Sequence, residues 1–403
     1  MTRYTRVRLA PRGPFHFGGR GVGMEHSEVG LPADSLFSAL CFTLAEAAGM
    51  SAVEALLARF PKTGAPASAP FRLTSLMPYA AGVHFLPYPM IGPPNVPGAT
   101  ELRKRKRFKA VQWVSTAVFR SLVRHQEPTD ALDSADTPIV VHGGRVWLTR
   151  AEQASLSGFV GHHPETNQKE VPVLWRTGRR PRVTVDRVSS ASAVYATGST
   201  LFNTGPDGQT AGLYTVIEWL DADDALRDFI VQAFVRLGAA GIGGERSSGH
   251  GQFEPVFEDF EEWPIGVAAG RYFTTLSPYH PWPDETEVLD LGARYEIVLR
   301  RGWLSLAGFQ NLRRASVRML ADGSVLHWPV GGEPLGDLAD VTPDRLKPAG
   351  PRIYRYGLAF PVRIADAAMD LTPPAPLPSQ GRGEATSPLL AGEGPGVRSG
   401  GAT

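Results

Sequence analysis

The segment from Gly212 to Phe260 constrains the fold more than any other part of the chain. "GLYTVIEWL" (212–220) has the composition of a strand. "DADDALRDFIVQAFVRLG" (221–238) follows, with Leu226, Phe229, Ile230, Ala233, Phe234 and Leu237 on one helical stripe, aspartates at its start and Gly238 at its end. "QFEPVFEDF" (252–260) returns to a strand. A helix with one apolar stripe between two strands needs a sheet to lie on. Between the helix and the last strand runs "GIGGERSSGHGQF" (241–253), five glycines around Arg246 and His250.

The N-terminal part follows the same plan. "YTRVRLAP" (4–11) alternates, with Thr5, Val7 and Leu9 on one face and Tyr4, Arg6 and Arg8 on the other, the pattern of a strand with one wet face. After the bend "FHFGGRGVGM" (15–24), "ADSLFSALCFTLAEAAG" (33–49) reads as a helix capped by Asp34 or Ser35 and ended by Gly49. "FRLTSLMPY" and "GVHFLPYP" read as strands around a turn. The order β-α-β, insertion, β-α-β predicts an α+β fold: a ferredoxin-like (RRM-like) split βαβ domain over 1–260, with a large insertion at about 89–180. The insertion holds one helical stretch, "RFKAVQWVSTAVFRSLVRH" (107–125). From 261 to 370, "RYFTTLSPY", "RYEIVLRRGW", "SVRMLADGSVLHW" and "YRYGLAFPVRI" predict a second, mostly β, modified ferredoxin-like domain with a hairpin turn at "ADGS". Residues 371–403 are Pro, Gly, Ser and Ala without periodicity, the composition of a disordered tail.

Composition limits the partners. The net charge is +1, so any nucleic-acid site is a local patch. A single cysteine, Cys41, leaves no disulfide framework or thiolate metal site within one chain and fits a reducing cytoplasm. No apolar run approaches the length of a membrane span, and the first residues lack the apolar stretch of a signal peptide. The glycine loop lacks the P-loop pattern. It also closes a helix rather than opening one, the reverse of a dinucleotide-binding turn. An anion here would therefore meet the negative end of the helix dipole and would have to be held by the loop's amides and Arg246. The alternative that binds nothing is a helix C-cap with a bulged strand entry.

A glycine-rich loop between the last helix and last strand of a ferredoxin-like domain resembles the RAMP superfamily of CRISPR-associated proteins. The stretch "FHFGGRGVGMEHSEVGLPADSLFSALCFTLAEA" resembles a narrower group within it. "LPYP", "LRKRKRFK", "RVTVDRVSS", "AGLY", "GIGGERSSGHGQF", "ADGSVL" and "YRYGLAFPV" follow in that group's order. Together, over about residues 3–365, they are similar to the family of the fourth subunit of the type III-A (Csm) interference complex. Ala33-Asp34-Ser35 departs from that family's frequent Ser-Asp-Thr, and the proline-rich tail has no counterpart there. The resemblance implies a non-catalytic cap, without cofactor or metal, on the repeat-derived 5′ handle of crRNA. It implies as partners the large polymerase-like Csm subunit and the Csm backbone RAMP subunit.

A single-stranded handle needs cations and amides for phosphates, room for its backbone, and faces for its bases. Gly241, Gly243, Gly244, Gly249 and Gly251 provide room, Arg246 a bidentate cation, Ser247 and Ser248 donors, and His250 a ring that stacks or donates. The first and last strands of a split βαβ neighbour each other, which places His16, Phe17 and Gly18 beside the loop, with His16 and Phe17 as stacking faces. Ser35 joins the set through the helix-start motif. Lys104, Arg105 and Arg107 in the basic run, and Arg182 and Arg187 in "RTGRRPRVTVDR", are candidate backbone contacts. Asp186 between the last two reads as an ordering residue. The rival activity is a metal-independent endoribonuclease that cuts repeat RNA, with His16 as general base. The sequence places no Tyr or Lys partner for it.

Overall fold

In the computed structural model, the residues described are 3–369 apart from 19–24, 63–67, 93–106, 134–137, 163–168, 171, 264, 268, 305–311, 331, 333–335 and 349. The expected tail, 371–403, lies outside them, as do Lys104 and Arg105. Six elements make the ferredoxin-like core: β1 (Tyr4–Pro11), α1 (Ala33–Ala48), β2 (Met77–Ala80), β3 (Ala211–Trp219), α2 (Asp224–Ala240) and β4 (Phe253–Phe260). Their sheet order is β4-β1-β3-β2, with all neighbours antiparallel. β1 pairs with β4 from Tyr4↔Phe260 to Pro11↔Phe253, so the first and last strands adjoin as the topology requires.

The insertion extends this sheet. Beyond β2 come Val83–Pro87, Trp113–Ser115, Val146–Trp147 and Val140–Val141 in turn. The single helix expected over 107–125 is corrected. A helical turn at 107–110 gives way to the strand Trp113–Ser115, and a second helix runs Thr116–Val123, started by Ser115 accepting from the Val118 N–H. Trp113 and Val114 pair with Val146 and Trp147, so sheet pairing overrides the local helical pattern. The arginine-rich stretch that follows forms a long antiparallel hairpin, Trp175–Val185 with Ser192–Phe202.

Two cores flank the sheet. On the helical side Val7, Leu9, Leu213 and Ile217 meet Leu36, Leu40, Ile230, Phe234 and Leu237. On the other side Tyr4, Met77, Tyr214 and Val216 meet Leu276, Val325, Phe360 and Val362 from the C-terminal part. The expectation of one wet face on β1 is therefore corrected. Tyr4 stacks on Phe260 at 5.4 Å, and Arg6 and Arg8 are half-buried.

Two helix ends also differ from expectation. Neither Asp34 nor Ser35 caps α1; the N-cap is Pro32, with no side-chain cap bond. Asp34 lies in the first turn, fully buried, and accepts from Arg300 at 2.9 Å and from Arg355. A buried carboxylate persists only with such partners, so this pairing fixes α1 to the C-terminal part. α2 runs past Gly238 to Ala240 and is closed by Gly241 at φ 84°. A Cβ at Gly238 would sit 2.5 Å from the Phe253 carbonyl, so that glycine permits close helix–strand packing. The C-terminal part is mostly β, as expected, with Tyr272–Thr275 between Val325–His327 and Pro361–Ile364. The chain turns at Ala321–Ser324, but the flanking strands do not form a hairpin. Val317–Leu320 pairs with Ile297–Arg300, and Val325–His327 pairs with Tyr272–Thr275.

Candidate single-stranded RNA interface

Because β4 pairs with β1, the loop entering β4 meets the bend leaving β1. Gly244 donates to the His16 carbonyl (2.9 Å), and Gly251 donates to the Pro14 carbonyl (2.8 Å). Gly243 has φ 92°, and a Cβ there would lie 2.5 Å from the His16 carbonyl. A Cβ at Gly244 would lie 2.6 Å from the His16 ring. The glycines thus admit the protein's own bend. Other loop amides close on the loop itself: Ile242 on Gly251, and Ser248 and His250 on Glu245.

His16 is buried, and its Nδ1 donates to the Gly198 carbonyl at 2.7 Å. It ties together bend, loop and hairpin. Phe17 is 2% exposed and packs on Phe15 at 5.3 Å, within the core. The expected stacking faces at His16 and Phe17 are corrected: a buried ring offers no face to a base. His250 is likewise buried, which lowers its pKa, and its Nδ1 has no hydrogen-bond partner. Its expected stacking role is corrected for the same reason. Gly18 is exposed, with open space where a Cβ would point.

The cations divide into committed and available ones. Arg182 reaches from the hairpin to Glu245 at 2.9 Å and to Ser248 Oγ at 2.7 Å, bracing the hairpin on the loop. Arg187 is exposed in the hairpin turn. Asp186 orders that turn by accepting from the Ser189 hydroxyl and the Val188 N–H, bonds that hold its carboxyl below the usual range. Arg246, Ser247 and Gly249 are exposed on the loop. The Arg246 guanidinium lies 5.7 Å from the Phe42 ring, and among the described residues no carboxylate pairs with it. It stands at a cavity of about 280 Å³ whose lining includes Phe42, Met50, Val53, Arg314 and Arg352. Ser35 lies elsewhere, accepting from Arg300 among the residues around Asp34. Arg107 is exposed at the helical turn of the insertion.

Sequence reasoning missed the hairpin as an element and missed the link between Arg182 and Glu245. The signal for the first lay in the two apolar–polar strands around Asp186–Ser190. The second joins residues 63 positions apart (245 minus 182), beyond any local pattern. Among the described residues no group of three His, Cys, Asp or Glu is placed to hold a metal ion. No helix among them is long and apolar enough to cross a membrane.

A ferredoxin-like core whose glycine-rich loop enters the last strand beside the first is the arrangement that the RAMP resemblance implies. Comparison with known proteins narrows this. Residues 268–364 match the family described as the CRISPR Csm4 C-terminal domain. The Csm4 protein of Thermococcus onnurineus is 25% identical over 368 residues, covering 90% of this chain and 98% of that protein. Csm4 of Mycobacterium tuberculosis is 24% identical over 319 residues, 79% of this chain and 86% of that one. Among solved structures, a Csm3–Csm4 subcomplex of the type III-A interference complex matches with TM-score 0.57 at 15% identity, covering 90% of this chain and 99% of that one. A Csm1–Csm4 cassette in complex with cA4 matches with TM-score 0.53 at 20% identity, covering 90% and 98%. Over most of its length the chain is thus similar to Csm4 proteins, in sequence and in fold.

Proposed function

We propose that this chain is the non-catalytic subunit of a cytoplasmic type III-A (Csm) effector complex that caps the repeat-derived 5′ handle of crRNA. It joins the large polymerase-like subunit to the backbone RAMP subunit. The solved relatives support the bridging role, since one is a cassette with Csm1 and another a subcomplex with Csm3. Its domains are the N-terminal ferredoxin-like unit, 1–260, and the mostly β unit, 261–370.

The observation that carries the RNA reading is the arginine-bearing hairpin braced against the glycine loop. Arg182 spends its charge on Glu245, which leaves Arg246 exposed beside it and Arg187 exposed at the tip. Two exposed cations on two elements suit a flexible polyanion, which follows a surface and stays single-stranded. Against the endoribonuclease reading stands the position of His16. A general base must reach the proton it takes. The His16 ring is buried, with its Nδ1 occupied by a backbone carbonyl.

The test is incubation of the purified full chain with repeat RNA. Retention without cleavage is the expected result. Cleavage that His16→Ala abolishes would establish the nuclease instead.

A further inference from the structure

The sheet face opposite the helices carries polar groups that the proposed function leaves unused. Arg6 and Arg8 project from β1 and His84 from the strand after β2, whose Tyr79↔His84 register sets its face. The Arg8 guanidinium lies 5.8 Å from the Tyr79 ring. The His84 ring lies 6.0 Å from Tyr79 and 4.8 Å from Tyr214. Arg6 pairs with Glu258 at 2.9 Å, and no carboxylate pairs with Arg8 among the described residues.

Three atoms of this cluster are buried without a hydrogen-bond partner: Nε of Arg6, Nε of Arg8 and Nε2 of His84. Buried polar atoms are seldom left so, and these three leave two donors and one acceptor unused within one patch. The two guanidiniums also define its charge. With burial, they push the His84 pKa down to about 3, so its ring is neutral and Nε2 offers a lone pair. Two N–H donors and one acceptor match a phosphate next to a hydroxyl. Arg6, Arg8 and His84 are each half-buried, so part of every one of these side chains stands at the surface above the three buried atoms. The patch lies on β1 just before the bend that meets the glycine loop.

Building on the single-stranded RNA reading above, we propose that Arg6, Arg8 and His84 form a subsite for one ribonucleotide of the strand held at the loop. The phosphate sits on the Arg8 guanidinium, with Nε of the Glu258-paired Arg6 as a second donor, and the ribose 2′-hydroxyl donates to His84 Nε2. A 2′-hydroxyl contact of this kind separates RNA from DNA at a single position.

The experiment scans a handle-containing RNA with single 2′-deoxy substitutions against the full chain. One position should weaken wild-type binding about fivefold, the loss of one hydrogen bond. His84→Phe should lose that sensitivity, and His84→Gln, which keeps an acceptor, should retain it. Arg8→Gln should lower the salt slope by about 0.7, one single-strand phosphate contact. This last variant carries the test if His84→Phe fails to fold. RNA binding with no His84-dependent 2′-deoxy effect, or an unchanged slope in Arg8→Gln, overturns the subsite alone. A full chain that retains no RNA in either form overturns the function on which it rests as well.

Discussion

Arg182 and Glu245 meet at 2.9 Å across two elements that share no backbone pairing, the long hairpin and the glycine loop. Both side chains are less than one quarter exposed, so the pair is only partly screened. A double-mutant cycle of Arg182→Ala and Glu245→Ala should give a coupling of about 1 kcal/mol in urea unfolding. Additive effects would show that the hairpin is not braced there.

His16 should behave as a strut. His16→Ala strands the Gly198 carbonyl and opens a gap under the loop, with an expected cost of about 1–3 kcal/mol. His16→Asn places an N–H donor near the same carbonyl and should recover part of that loss. Thermal unfolding of the three proteins measures this. Equal stability of all three would contradict the role.

Asp322 links pH to stability. Burial raises its pKa to about 6, above the unfolded value near 3.9. Between those values the folded state binds the extra proton, so stability falls as pH rises through the window. Asp322→Asn should flatten that slope and stabilise the protein at pH 8 by on the order of 1–3 kcal/mol. A variant that tracks wild type from pH 4 to 8 would refute it.

Cys41 should be inert. Cys41 is half-buried in the wall of the cavity beside Arg246, and that burial pushes its thiol up to about 12, against a smaller opposing effect of Arg314. Thiolate is then scarce at pH 8, and alkylation of the folded chain should be far slower than of the unfolded chain. Reaction at equal rates would contradict the burial.

Much of the fold is legible in the sequence, because α2 and its flanking strands carry strong periodicity and the topology then places β4 beside β1. The glycine loop and Arg246 were legible for the same reason. What was not legible is which of the candidate site residues the core consumes. His16, Phe17 and His250 have the residue types of an RNA site, yet long-range packing against Gly198, Phe15 and the loop buries them. Asp34 reads locally as a cap, while its actual partners, Arg300 and Arg355, lie more than 260 residues away. The tight-turn signal at Ala321–Ser324 is real, but the pairing of its strands is decided by neighbours outside the window.

The central claim is that the glycine loop holds the crRNA handle through Arg246. Its most direct measurement is the affinity of a handle-containing RNA for the assembled complex across a salt series. Arg246→Ala should weaken binding by about 1.5–3 kcal/mol and reduce the salt slope by about 0.7–1, with an unchanged melting temperature. Gly244→Val, whose side chain would strike the His16 ring, should weaken binding while leaving the slope of the residual binding near wild type. If both variants bind like wild type and melt at lower temperature, the loop is only a helix cap and strand entry, and the account is wrong.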